Sequence, residues 1–344
     1  MRLGDLGLRI GGLEPGPGNA LTDIAGVGVG HLAIDGDGLA TGLTAIRPHL
    51  PQVERRRLYM GRYALDGGDG LTGLGVEEDF GTFSSPVVLA PAPAVGRVYE
   101  GLIRYGIERD PGLGTSTGWP PVVVGVDDTG WNSAPLAHRL IGEAELAQVL
   151  AAVGDTASEG DVGIGRGLAA FGFTGGVGMA SRQVGAYTVG GLVAVNSGVV
   201  QGLAVDGYRL GVDPGPGGGA GPSTGRGSVA VVATDAPLIP GQLDRLAGRA
   251  GLGLARAGVF DAACHTGLVL AFSTQPIESP KEDDEPAETI EMVGETSLYG
   301  LFQAAFEACQ EAVVNALLMA APGRLPVLTP GAWVDEARRY QRRG

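Results

Sequence analysis

Short apolar runs rich in β-branched residues, each bounded by Gly, Pro, Asn or Asp, recur along the chain. They predict buried strands over residues 86–90, 121–126, 187–196, 228–234 and 267–273. Between them apolar residues return at helical spacing, predicting helices over 95–107, 143–153, 242–257 and 298–320. In the third of these, Leu243, Leu246, Ala247, Ala250 and Leu254 share a face, with Arg245, Arg249 and Arg256 elsewhere. The last is the longest, and its Glu307, Gln310, Glu311 and Asn315 argue against a membrane span. Strands that are apolar throughout imply sheets covered on both faces. Strands and helices do not alternate strictly, so a layered α/β arrangement with helices outside the sheets fits better than a doubly wound one. Residues 213–227, dense in Gly and Pro, read as a loop, and the acidic stretch 278–297 reads as a solvated connection.

Composition narrows the chemistry. The 344 residues, 44% hydrophobic and 18% charged, describe a globular chain able to bury a sizeable core. A net charge of −14 argues against a nucleic-acid partner. Lys281 is the only lysine and sits against Glu282, Asp283, Asp284 and Glu285, which argues against Ser–Lys, Schiff-base and Walker-loop chemistry. Cys264 and Cys309 form neither a disulfide framework nor a zinc pattern, and the histidines lack metal-ligand spacing, so no metal or cofactor is expected. Cys264 reads as a core residue. The chain opens without a charged-then-apolar leader and has no run of membrane length, from which a soluble cytoplasmic protein is expected.

Within the Gly-rich loop, Gly215-x-Gly217-x-x-Ala220 formally matches a dinucleotide fingerprint. That fingerprint needs a strand before it and a helix after it, whereas this loop ends in Gly227 and runs into the strand beginning at Ser228. The junction makes better sense as a processing site. A hydroxyl at the head of a fixed strand can attack the carbonyl before it, and the α-amine so released has an ordinary pKa of about 7.7–8.0, suited to act as base for its own Oγ. The plainer alternative is a Gly-Ser turn leading into a core strand.

A resemblance spread along the chain weighs on that choice. Asn19-Ala-Leu-Thr-Asp-Ile-Ala-Gly-Val-Gly-Val-Gly-His31, Gly175-Gly-Val-Gly-Met-Ala-Ser-Arg182, Gly190-Gly-Leu-Val-Ala-Val-Asn196 and above all Gly227-Ser-Val-Ala-Val-Val-Ala-Thr-Asp-Ala-Pro-Leu238 resemble the DmpA-type L-aminopeptidase/D-amidase-esterases. β-Peptidyl aminopeptidases and nylon-oligomer hydrolases are related to that family. The resemblance implies an αββα four-layer sandwich, DmpA/ArgJ-like, self-processed at Gly227–Ser228 into chains 1–227 and 228–344 and assembled as a homo-oligomer. It implies Ser228 as N-terminal nucleophile, Asn196 as oxyanion donor and Thr266 as the hydroxyl residue that follows. The acid usual two positions later is Leu268, and Thr174 replaces a lysine that often precedes the Gly-Gly pair. Relatives carry a Glu and often a Tyr near residues 121–131; here Asp127 or Asp128, beside Trp131, could hold a substrate amine instead. Two readings follow: a metal-free serine aminopeptidase/amidase-esterase acting on small peptides, amides or esters, or an uncleaved, catalytically silent relative serving as a binding or scaffold protein.

Overall fold

The computed structural model describes residues 1–36, 38–48, 57–65, 71–111, 120–215, 226–260, 264, 266–277, 290–323 and 325–343. The strands in chain order are β1 (Gly28–Gly36), β2 (Leu39–Arg47), β3 (Leu58–Ala64), β4 (Thr82–Phe83), β5 (Val87–Pro91), β6 (Val122–Val126) and β7 (Ala169–Ala170). There follow β8 (Phe173–Thr174), β9 (Gly176–Val184), β10 (Tyr187–Val195), β11 (Ala204–Val205), β12 (Tyr208–Arg209), β13 (Ser228–Thr234) and β14 (Gly267–Pro276). The helices are α1 (Leu74–Phe80), α2 (Val95–Arg109), α3 (Ala134–Leu140), α4 (Glu143–Ala151), α5 (Pro240–Ala257), α6 (Glu295–Leu318) and α7 (Ala332–Gln341).

Two larger sheets form. One has the order β1-β2-β5-β6, the other β4-β3-β14-β13-β10-β9. Only the β5/β6 and β13/β14 pairings within them are parallel. Alternation along β13 shows how the layers are built. Val229, Val231 and Ala233 join an inter-sheet cluster with Val87, Leu89, Val122 and Val124 of the smaller sheet. Ala230 and Val232 point the other way, into a cluster with Leu243, Leu246 and Leu254 of α5 and Leu301, Ala305 and Val313 of α6. On the far side, α2 and α4 cover the four-stranded sheet through Val98, Leu102, Leu146 and Val149. Helix, sheet, sheet and helix thus stack as the expected αββα sandwich.

All five expected strands and all four expected helices are present, with ends moved by a few residues. The other strands, of which β1, β2, β3 and β9 are the longest, and the helices α1, α3 and α7 were not foreseen, and glycines explain why for β1 and β9. A Cβ on Gly178 in β9 would collide with the Ala312 carbonyl oxygen of α6, and one on Gly30 in β1 would lie 2.7 Å from the Val149 carbonyl oxygen of α4. Close helix–sheet approach requires residues whose local propensity reads as loop. Glu307, Gln310, Glu311 and Asn315 of α6 are all buried, and all but Gln310 find partners. Glu307 and Glu311 hold the buried Arg182 at 3.2 and 2.6 Å, and Asn315 binds Leu3 N and Met179 O. No described helix is long and apolar enough to cross a membrane. Most of the Gly-rich loop (216–225) and of the acidic connection (278–289) lies outside the described residues.

Candidate active site

β10 and β13 are antiparallel, with Ala194 opposite Val229, so the end of one strand lies beside the head of the other. This register brings Asn196 and Ser197 to Ser228, which is fully buried. The Asn196 backbone N–H donates to Ser228 Oγ at 2.8 Å. Ser197 Oγ lies 2.8 Å from Ser228 Oγ and donates to the Val259 carbonyl, just beyond α5, at 3.0 Å. A hydroxyl has one proton, and a carbonyl only accepts. Ser197 therefore accepts the proton of Ser228, so the Ser228 hydroxyl is oriented from both sides.

The turn that carries these residues is fixed by unusual backbone. Gly198 has φ +103°, and a Cβ there would collide with the ring of Phe171, itself at φ +56°. The Phe171 N–H donates to the Gly198 carbonyl at 3.1 Å. Only glycine suits that position.

Asn196 Nδ2 donates to the Asp127 carbonyl at 2.8 Å, and its Oδ1 accepts from Ala169 N at 3.3 Å. These partners fix the amide's orientation. Asp127 is half-buried. Its carboxylate accepts from Thr129 N at 2.9 Å and forms an ion pair with Arg226, two residues before Ser228.

Asp128 faces the opposite way and is 1% exposed. Its Oδ2 accepts from Asn132 Nδ2 at 2.9 Å. Burial pushes its pKa up from 3.8 to about 6, opposed by Thr41 and Asn132 and reinforced by the charge of Asp127. Thr41 lies near enough to matter electrostatically but makes no well-formed hydrogen bond; Thr41 Oγ1 and Asp128 Oδ1 are both buried without one. The expectation that either aspartate could face a ligand is therefore corrected, because Asp128 is sealed inside the protein. Asn132 also binds both the N–H and the carbonyl of Ala40, at 2.8 and 2.9 Å, tying this turn to β2.

Thr266 stands against Gly227, where any Cβ would collide with its Oγ1. Leu268 is 4% exposed in the inter-sheet apolar layer, opposite Val229. Trp131 lines a cavity of about 150 Å³ with Arg166, Leu168, Thr174 and Leu325. Leu168 leads into Ala169, the partner of Asn196, so the cavity adjoins the site. Thr174 is held there through Oγ1 to the Leu325 carbonyl at 3.0 Å.

Three residues beside the junction escaped the sequence reading. Ser197 follows a recognised Asn, yet its role is visible only through the β10/β13 register. Arg226 precedes the recognised Gly-Ser pair and becomes informative only when Asp127 is found next to it. Cys264, expected simply as core, is buried, and its thiol contacts the Thr266 and Arg226 carbonyls at 2.9 and 3.5 Å. His265 lies outside the described residues. Among the described residues no group of three or more His, Cys, Asp and Glu could hold a metal ion.

A serine oriented at the head of a buried strand inside an αββα sandwich defines a class, and comparison with known proteins gives the family. The chain belongs to peptidase family S58, whose model matches residues 19–324, and is an enzyme that hydrolyses peptide bonds. It is 34% identical over 342 residues to the β-peptidyl aminopeptidase BapA of Sphingosinicella xenopeptidilytica, covering 92% of this chain and 84% of that one. Among solved structures it is similar to a β-aminopeptidase from Burkholderia sp., with TM-score 0.85, 32% identity and 99% of both chains covered. It is equally similar to the L-aminopeptidase D-Ala-esterase/amidase of Ochrobactrum anthropi, a variant of the Ntn hydrolase fold, with TM-score 0.86, 31% identity and 99% of both chains covered.

Proposed function

We propose that this chain is a self-processing serine aminopeptidase with amidase and esterase capacity, using Ser228 as an N-terminal nucleophile. The observation that carries the reading is the orientation of the Ser228 hydroxyl by Asn196 N and Ser197 Oγ, immediately after a glycine whose place Thr266 dictates. Ser228 is fully buried in the uncut chain, so the electrophile within its reach is the Gly227 carbonyl. Attack by Oγ forms a five-membered ring. The C–N bond then breaks, the hydroxyl proton passes to the departing Ser228 amine, and an ester remains. Water hydrolyses that ester, leaving a carboxylate on Gly227 and restoring the Ser228 hydroxyl beside a free α-amine.

That amine, with an ordinary pKa of about 7.7–8.0, serves as the base in later turnovers. Asn196 has one amide hydrogen on the Asp127 carbonyl and directs the other to the developing oxyanion. The Asp127 carboxylate, next to Asn196 and open to solvent, holds the substrate's ammonium group. Trp131 and the adjoining cavity receive the substrate's side chain. Substrates are small peptides, amides or esters with a free amino terminus, a reading supported by the aminopeptidase names of the relatives above.

Denaturing mass spectrometry of fresh and aged protein tests the cut: two masses meeting at Gly227/Ser228 are expected. Aminoacyl p-nitroanilides should be turned over and their N-acylated counterparts should not. One observation favours a second reading. Leu268 places apolar bulk where the resemblance calls for an acid, which suits a chain that no longer cleaves. A single persistent mass would establish that uncleaved form instead.

A further inference from the structure

The ion pair between Arg226 and Asp127 joins two parts of the site that the reaction uses at different times. Asp127 directly follows β6 and opens the turn after it, and its backbone carbonyl is the anchor of Asn196 Nδ2 at 2.8 Å. Arg226 is the second residue before the bond to be cut. Its Nη1 contacts the Asp127 carboxylate, and also the Thr129 hydroxyl at 3.3 Å and the Asp127 carbonyl at 3.4 Å. The backbone carbonyl of Arg226 is contacted by Cys264 Sγ at 3.5 Å, and the next residue, Gly227, is seated against Thr266. Residue 226 is therefore held through side chain and backbone, on the side of the scissile bond away from Ser228.

Resting on the self-cleavage reading above, we propose that Arg226 is a positioning residue for that cleavage. Its guanidinium, clasped by Asp127, fixes the Gly227 carbonyl over Ser228 Oγ, and in the uncut chain it occupies the carboxylate that later takes the substrate's ammonium group. The cut changes the constraint on it. Before cleavage Arg226 is tethered to the strand head through Gly227; afterwards it is the penultimate residue of a chain end, and Asp127 exchanges one cation for another. A single carboxylate thus serves maturation first and substrate recognition second, and a precursor binds substrate more weakly than it would with that carboxylate free.

Two measurements test this. The first follows the appearance of the two fragments by denaturing mass spectrometry in wild type, Arg226→Ala, Arg226→Lys, Asp127→Asn and the Arg226→Ala/Asp127→Asn pair. A charge-assisted contact of this kind implies a roughly tenfold loss of cleavage rate in Arg226→Ala and in Asp127→Asn, with no further loss when they are combined. Arg226→Lys, which keeps the charge, should stay within about threefold of wild type. Cleavage of Arg226→Ala at the wild-type rate, or Arg226→Lys as slow as Arg226→Ala, overturns the clamp while leaving self-cleavage intact. A wild type that stays one mass overturns self-cleavage and the clamp together. The second measurement uses calorimetry with L-alaninamide on uncut protein. Ser228→Ala should bind it roughly tenfold more weakly than Ser228→Ala/Arg226→Ala, and equal affinities overturn the occupancy of Asp127 by Arg226.

Discussion

Replacing Asp128 with asparagine removes a buried carboxylate while keeping its shape. In the folded chain this carboxyl has a pKa of about 6 against an ordinary 3.8. Between those values the folded protein binds more proton than the unfolded one, so stability falls as pH rises through the window and the loss is complete above it. Each pKa unit is worth about 1.4 kcal/mol, so the full loss is about 3 kcal/mol. The asparagine cannot ionise and should show none of it. Its carbonyl can keep the bond from Asn132, and its amide can donate to Thr41 Oγ1, a group otherwise buried without a partner. The two proteins should therefore be nearly equal in stability at pH 4, and the variant should be more stable by about 2–3 kcal/mol at pH 7.5. Urea unfolding of both, at intervals between those pH values, supplies the difference curve, in which titrations common to the two proteins cancel. A stability difference that stays constant across the range would refute the burial of an ionised Asp128.

Four further substitutions probe the site. Asn196→Ala should lower turnover by about 10²–10³ through loss of an oxyanion donor, measured per folded molecule, and should also cost about 1–3 kcal/mol because the side chain anchors Asp127 and Ala169. Ser197→Ala should slow both self-cleavage and turnover by about tenfold with a melting shift of only a few degrees, since it leaves the Ser228 hydroxyl without its acceptor; unchanged rates would reduce Ser197 to a structural role. Gly227→Ala should slow fragment formation by about a hundredfold through misplacement of the scissile carbonyl. Thr266→Ala should not rescue it, because the Thr266 carbonyl and Cβ, at 2.8 and 2.9 Å from the added methyl, remain in the way.

How far the sequence reveals this site depends on where the constraint comes from. β13, α5 and α6 were legible because burial on both faces or on one stripe writes itself into local periodicity. Ser228 and Asn196 stood out as candidates because motif and chemistry point to the same residue types, and the fold brings the two together. β9 was not, because Gly178 answers to α6, more than a hundred residues away, rather than to its own neighbours. Asp127 and Asp128 were indistinguishable for a similar reason. Consecutive residues at a strand end point to opposite sides, and only the packed turn shows that one meets Arg226 while the other is enclosed with Asn132.

The position of Leu268 bears on how the site can work without the acid that the resemblance implies there. β13 and β14 are parallel and in register, so Leu268 shares the inter-sheet layer with its neighbour Val229 and with Leu270. A carboxylate at this place would lie in apolar surroundings, where desolvation raises its pKa and a compensating cation is needed to keep it charged. Leucine removes that requirement and completes the apolar layer. Under the proposed self-cleavage the loss falls on the orientation of the released α-amine, because Ser228 Oγ already has its two hydrogen-bonding contacts just past the end of β10, from Asn196 and Ser197. Asp127 is then the carboxylate next to Asn196, and before the cut its charge is engaged by Arg226. Where the resemblance implies an acid in the buried sheet layer, this site carries its negative charge on the half-exposed turn, where the Arg226 guanidinium meets it without being fully buried.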